Sequence, residues 1–205
     1  MGIYSDHLFP KVLDLAMRAP ELKPLRARTV EHAHGRVLEI GFGAGYNLRF
    51  YPEQVDSVIA IDPNPGLSAM AQERIKRNTV RVEHHQITAE RLPFDDASFD
   101  CAVSTLTLCS IANVTAALAE IRRVLKPGGE FFFLEHGLCP EPQISKWQHR
   151  LTPMWKIIGD GCHLNRNVAA LIQNAGLQIT SMSNFILPKA PRAIGYAYLG
   201  TARRM

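Results

Sequence analysis

Short continuous apolar runs alternate with amphipathic stretches along this chain. Arg36-Val37-Leu38-Glu39-Ile40 predicts a buried strand that stops at Gly41, and Ser57-Val58-Ile59-Ala60-Ile61 predicts a second that ends at Asp62. Residues 80–85 give a weaker third, 99–104 a fourth, and 130–135, centred on three consecutive Phe, a fifth. Runs that are apolar throughout, rather than alternating, suit strands covered on both faces, as in a parallel sheet. The stretches between them read as helices. Asn113 is an N-cap candidate, and Ala117, Ile121, Val124 and Leu125 follow it on one stripe before Pro127-Gly128-Gly129 stops the helix. Residues 65–77 form another, with Pro65 in its first turn. Strands alternating with helices predict a doubly wound α/β sheet.

The two ends break this alternation. Residues 5–34 read as a helical cover whose apolar positions Leu8, Val12, Leu15 and Ala16 would shield the core edge or a pocket mouth. Residues 177–187 and 193–201 are strand-like, with only a short Pro-containing link between them. A parallel crossover needs a dozen or more residues, so these two runs should pair antiparallel and close the sheet.

The strongest chemical signal is Glu39-Ile40-Gly41-Phe42-Gly43-Ala44-Gly45. It follows the first strand and is expected to open a helix, so its glycines would let the backbone turn tightly and approach a ligand. Asp62 ends the second strand 17 residues beyond Gly45. A carboxylate there can accept hydrogen bonds from both hydroxyls of a ribose. The spacing is G-x-G-x-G, with Tyr46 where a dinucleotide fingerprint would place its third glycine. Glu39 would repel a pyrophosphate but suits a cationic ligand, and no Gly-Lys-Ser/Thr phosphate loop occurs. S-adenosylmethionine has an ammonium, a sulfonium and a ribose, and carries no phosphate.

Four segments in order, VLEIGFGAG, AIDPNP, ITAERLPFDDASFDCAVS and ALAEIRRVLKPGGEFFFLEH, resemble the successive signatures of class I S-adenosylmethionine-dependent methyltransferases, of the broad group that includes the ubiquinone/menaquinone C-methyltransferases. A narrower resemblance, carried by LTLCSI, FFLEH, PMWKIIGDGCHLNR and GYAYLGTA, is to the alkyl-thiol S-methyltransferases and their bacterial relatives. The resemblance implies a three-layer, Rossmann-like sheet of seven strands, mostly parallel with a C-terminal antiparallel hairpin. It implies that Glu39, Gly41, Gly43 and Gly45 surround the methionine part of S-adenosylmethionine and that Asp62 holds the ribose. Pro63, Asn64, Ala89 and Glu90 would flank the adenine, with Thr105 and Leu106 on the methionyl side. S-adenosylhomocysteine would be the product. Residues 1–205 would form a single methyltransferase domain, with 1–34 as cover, 36–136 as cofactor core, and 137–205 as acceptor segment and closing hairpin.

The acceptor side offers Tyr4, His7, Trp147 and Trp155 as substrate-binding candidates, with His136, Asp160 and His163 as catalytic ones. His136 follows the fifth strand, where an open α/β sheet presents residues to its ligand crevice. It reads equally as a base, an orienting group, or a histidine capping the strand. Asp160 could orient His163, or could serve only an Asx-type turn. Trp147 and Trp155, eight apart, read as one helical face. The acceptor is expected to be a small molecule such as a thiol. A phospholipid headgroup or quinone, and a binding-only protein, stay open as alternatives. An oxidoreductase is disfavoured by the absent third glycine and the lack of a Tyr-x-x-x-Lys pair.

Composition changes little. The chain has 205 residues with 46% hydrophobic and 20% charged, enough to bury a core without disulfides. The net charge of +4 is spread along the chain, which argues against nucleic acid. No run of ~18 apolar residues exists, so no integral membrane contact is expected. The stretch 7–18 leaves peripheral contact with a membrane surface open. No signal peptide is visible at the start of the sequence. Cys101, Cys109, Cys139 and Cys162 include no CxxC pair, so no metal site is expected. Cys109 and Cys162 read as small buried hydrophobes, and reduced cysteines fit a cytoplasmic setting.

Overall fold

Among the described residues, seven strands and seven α-helices form around two apolar layers, one on each side of a single sheet. The computed structural model describes residues 8–205, so Tyr4 and His7 lie outside the described residues. The strands are β1 (Gly35–Ile40), β2 (Val55–Ile61), β3 (Arg81–His85), β4 (Phe99–Thr105), β5 (Leu125–His136), β6 (Leu177–Ile186) and β7 (Tyr196–Arg204). The helices are α1 (Phe9–Met17), α2 (Leu22–Val30), α3 (Pro65–Ile75), α4 (Val114–Val124), α5 (Pro142–Ile158), α6 (Val168–Asn174) and α7 (Arg192–Gly195). The sheet order is β3-β2-β1-β4-β5-β7-β6. The first five strands are parallel, and β7 runs antiparallel to both β5 and β6, as expected.

Burial on both faces explains the continuous apolar runs. Leu38, Ile59, Ala102 and Phe131 point to one side, where Leu118 and Ile121 of α4 and Ile172 of α6 cover them. Val37, Val58, Cys101 and Phe132 point to the other, against Val30 of α2 and Ala71 of α3. Asn113 caps α4 by accepting from the Ala116 N–H, and Asn64 caps α3 by accepting from Gly66 and Leu67.

The ends hold two differences. The N-terminal cover is two helices, and its predicted inward stripe is only partly inward. Leu8, Val12, Leu15 and Ala16 are all exposed, with only Val12 and Ala16 bordering the cavity, while Asp14 is buried. The hairpin link contains the four-residue α7. Among the described residues, no helix is long and apolar enough to cross a membrane.

Candidate functional site

Strand order reverses between β1 and β4. The chain leaves β1 toward β2 on one side and leaves β4 toward β5 on the other, so the connections after them diverge and leave a crevice. A cavity of about 770 Å³ opens there, lined by Gly41, Gly43, Asp62 and Thr105 at the strand ends and covered by Val12, Leu13 and Met17 of α1. Pro63, Asn64, Ala89, Glu90 and Leu106 also line it.

The glycine loop is built by backbone geometry. Gly41, Gly43 and Gly45 have φ of +69°, +56° and +78°, a region L side chains rarely adopt. A Cβ added to Gly43 would meet nothing closer than 3.9 Å, so this backbone faces open cavity that a ligand can enter. Asp62 fixes the loop. One carboxylate oxygen accepts from the Gly43 N–H at 2.8 Å and the other from the Asn64 N–H at 2.9 Å. Burial raises the Asp62 pKa, opposed by those two donors. The expected helix after the loop is absent. Residues 48–50 make one 3-10 turn, because Pro52 holds Tyr51 extended at ψ 132°.

Glu39 and Gly45 lie beneath the cavity rather than on its wall. Glu39 is buried and accepts from Asn47 Nδ2 and from the Tyr51 hydroxyl, each at 2.8 Å. The same Asn47 amide donates to Thr105 Oγ1 at 3.0 Å, and its oxygen accepts from Arg26 at 3.0 Å. Arg26 lines the cavity, and its Nε is buried without a partner, an unspent cationic donor at the loop end. Asp14 of α1 accepts from the Tyr46 hydroxyl at 2.7 Å and from Arg18, and pairs with Arg74. Burial opposes ionisation of Asp14, but these donors outweigh it and lower its pKa. The cover helix is thereby tied to the residue that follows the glycines.

Burial first, with the charge of Asp62 adding, pushes Glu39 up to about 7 against its hydrogen bonds and Arg26. A carboxyl raised from 4.5 in the unfolded chain contributes stability below pH 4.5 that is lost as pH rises through 7. That loss is about 3 kcal/mol. Glu39→Gln keeps an acceptor for Asn47 and offers Tyr51 a donor. Its urea-unfolding free energy should therefore fall less than wild type's across this window; parallel curves would show that Glu39 titrates normally.

Beyond the glycine loop the cavity is lined by Trp155, Asp160, Cys109, Cys162 and His136. His136 Nε2 lies 3.0 Å from Cys162 Sγ, and Trp155 Nε1 donates to the same sulfur at 3.3 Å. Hydrogen bonding from Cys162 and the charge of His136 pull Cys109 well down, while Cys162 is pushed up. Burial works against His136 ionisation, but the Cys109 charge outweighs it and raises the histidine's pKa. Cys109 and Cys162 are buried, as read from the sequence, and both also line the cavity wall.

Trp147 and His163 do not line the cavity. Eight residues of helix turn 800°, so Trp147 stands about 80° from Trp155; it is exposed on α5 while Trp155 faces inward. His163 Nδ1 lies 3.1 Å from the Cys109 carbonyl, which also accepts from the His163 N–H. It holds the loop that carries Cys109. Asp160 sits in the tight turn before it at φ +46°.

Glu135, like Arg26, belongs to the site but was missed by sequence reasoning. Its carboxylate accepts from Ser104 Oγ at 2.6 Å and from the Thr107 and Leu108 N–H groups at 2.9 and 3.0 Å. It thereby shapes the wall from Thr105 to Cys109. Burial, then the Cys109 charge, raises it to about 8.

Residues 38–133 match the family model of a methyltransferase domain. The human thiol S-methyltransferase TMT1B is 35% identical over 178 residues, covering 83% of this chain and 72% of that protein. The chain belongs to the S-adenosylmethionine-dependent methyltransferases. The thiol S-methyltransferase TMT1B of Rattus norvegicus is 41% identical over 145 residues, 68% of this chain and 58% of that one, so this methyltransferase spans little more than half the rat protein's length. The geranyl diphosphate C-methyltransferase of Streptomyces coelicolor shares the fold with a TM-score of 0.71, at 14% identity over 90% of this chain and 78% of that one. The cofactor of this methyltransferase is S-adenosylmethionine, and the buried acid, the bare Gly43 backbone and the absence of any phosphate-gripping loop fit it.

Proposed function

We propose that this methyltransferase transfers the methyl group to the sulfur of a small thiol. The observation that carries the reading is one cavity with two chemically distinct ends. The glycine loop and Asp62 lie at one end, and His136 with two thiols lies in a largely apolar wall at the other. The resemblance to thiol S-methyltransferases supports the same acceptor.

In this reading Asp62 accepts from the ribose hydroxyls with the lone pairs its backbone donors leave. Pro63, Asn64, Ala89 and Glu90 flank the adenine. Gly41, Gly43, Thr105 and Leu106 surround the methionyl part, and Arg26 receives its carboxylate. Glu39 and Gly45 act from beneath, by positioning Asn47 and the loop. The bound cofactor supplies a methyl group already activated on a cationic sulfur. The chain's task is to place the nucleophile in line and exclude water. His136 faces the acceptor sulfur, and Asp160 and His163 position the wall around it. The four free, buried cysteines support a reducing, cytoplasmic setting.

Asp62→Ala should weaken S-adenosylhomocysteine binding by ~1–3 kcal/mol, roughly 5–150-fold, as charged hydrogen bonds are lost. Unchanged affinity in calorimetry would place the ribose elsewhere. The acceptor is tested by radiolabelled methyl transfer to small alkyl thiols, a quinol and phospholipid vesicles. A labelled thioether is expected. Label only in lipid or quinol would overturn the thiol assignment, and bound cofactor without transfer to any of them would indicate a binding protein.

A further inference from the structure

Three soft-metal ligands meet on the acceptor wall. Cys109, His136 and Cys162 each offer one ligand atom, and the three atoms lie within 4.8 Å of one another. They come from the loop after β4, the end of β5 and the turn after α5, so no local spacing announces them. We propose that Cys109, His136 and Cys162 hold a zinc-class divalent cation whose fourth position opens into the cavity and takes the sulfur of the acceptor thiol.

The donor set fits. Two cysteine sulfurs and one imidazole make the three-ligand arrangement of zinc sites that keep one position open. Tetrahedral zinc has bonds of about 2.3 Å to sulfur and about 2.0 Å to nitrogen, which puts ligand atoms roughly 3.5–3.8 Å apart. The three atoms lie within 4.8 Å of one another, and the His136–Cys162 contact of 3.0 Å needs to open by only about half an ångström. His136 Nδ1 is buried without a partner, so the ring's polar contacts are with the sulfurs alone. Trp155 donates an N–H to Cys162, as a neighbour of a ligating thiolate would. A cysteine buried merely as a hydrophobe needs no such donors. All three ligands line the cavity, so the open position faces the cofactor end.

The role of the fourth position rests on the thiol reading; the metal site itself rests on the ligand geometry. On binding, the acceptor S–H releases its proton to water at the cavity mouth. Its sulfur pair forms the new S–CH3 bond. The bond from that methyl to the donor sulfur breaks, and its pair stays on the donor as S-adenosylhomocysteine. The neutral thioether is a poorer ligand than a thiolate and leaves.

The test loads the full chain with zinc or cobalt(II) under reducing conditions and counts metal after gel filtration. About one metal per chain is expected, with thiolate-to-cobalt charge-transfer absorption that shifts when an alkyl thiol is added. Cys109→Ser with Cys162→Ser should lose the metal yet keep its thermal shift with S-adenosylhomocysteine, while Cys139→Ser keeps both. If the double variant does not fold, the cobalt spectrum of the unmodified chain decides alone. No retained metal, a cobalt spectrum without thiolate bands, or a Cys109–Cys162 disulfide in its place would overturn the site. A metal-free chain that still methylates thiols sinks this inference and keeps the thiol reading. A thiolate-ligated metal in a chain that methylates only quinol sinks the thiol reading and keeps the site.

Discussion

Gly41→Ala is expected to abolish measurable cofactor binding and to destabilise the fold by at least ~3 kcal/mol. Two effects add. Ala must adopt φ +69°, which costs an L residue roughly 1–2 kcal/mol. The larger effect is steric. The new methyl would lie 2.1 Å from both Thr107 Oγ1 and Cγ2 and 2.6 Å from Thr107 Cβ. Thr107 cannot retreat freely, because its N–H is held by the Glu135 carboxylate. Gly41 in turn donates its own N–H to the Ile61 carbonyl at 2.9 Å, so the loop cannot move away either. Overpacking of this kind typically costs 1–3 kcal/mol even where side chains can adjust. The double variant Gly41→Ala with Thr107→Gly separates the effects: it should recover the steric share in urea unfolding and retain the dihedral share. If the single variant binds S-adenosylhomocysteine normally, the approach of the two loops is looser than the structure shows.

This close approach also explains what the sequence could and could not disclose. The glycine loop and Asp62 are legible because local rules dictate them: a strand end, positive-φ turns, and a second strand end at a set distance. The five parallel strands and the closing hairpin are legible for the same reason, since burial on both faces writes itself into continuous apolar runs. Contacts between distant segments leave no such trace. Cys109, His136 and Cys162 are 27 and 26 residues apart and meet only because β4, β5 and α5 end at one mouth. Arg26 reads as one more charge on a helix until the fold buries it against Asn47. The tryptophans mislead for a different reason. An eight-residue spacing looks like a helical repeat, but 3.6 residues per turn leaves it 80° out of phase. The absent helix after the glycines was legible in Pro52, whose effect on Tyr51 outweighs the usual strand–loop–helix expectation.

Glu135→Ala is expected to cost roughly 3–5 kcal/mol and to lower turnover with it. Glu135 sits at the end of the apolar run of Phe131, Phe132, Phe133 and Leu134, so its pattern marks it as a lone polar residue in a core strand. The fold uses it as a three-donor anchor. Without the carboxylate, the Thr107 and Leu108 N–H groups are stranded in a dry interior, at ~1–3 kcal/mol each. The Ser104 hydroxyl can rotate to another acceptor and contributes less. Leu106 makes the site sensitive. It holds φ +55°, a strained position for a leucine, and keeps it only while the surrounding loop is over-determined. Released, the loop relaxes toward ordinary dihedrals and carries Thr105 and Cys109 off the cavity wall. Glu135→Gln offers one oxygen to the same donors, but its NH2 faces an N–H, so it should fall between wild type and Ala in both unfolding free energy and kcat. Leu106→Gly distinguishes anchoring from mere filling: combined with Glu135→Ala, it should recover stability without recovering turnover, because the strain is relieved while the wall stays displaced. Equal stability of Glu135→Ala and wild type would mean that the donors find water instead, and the anchoring role would fail.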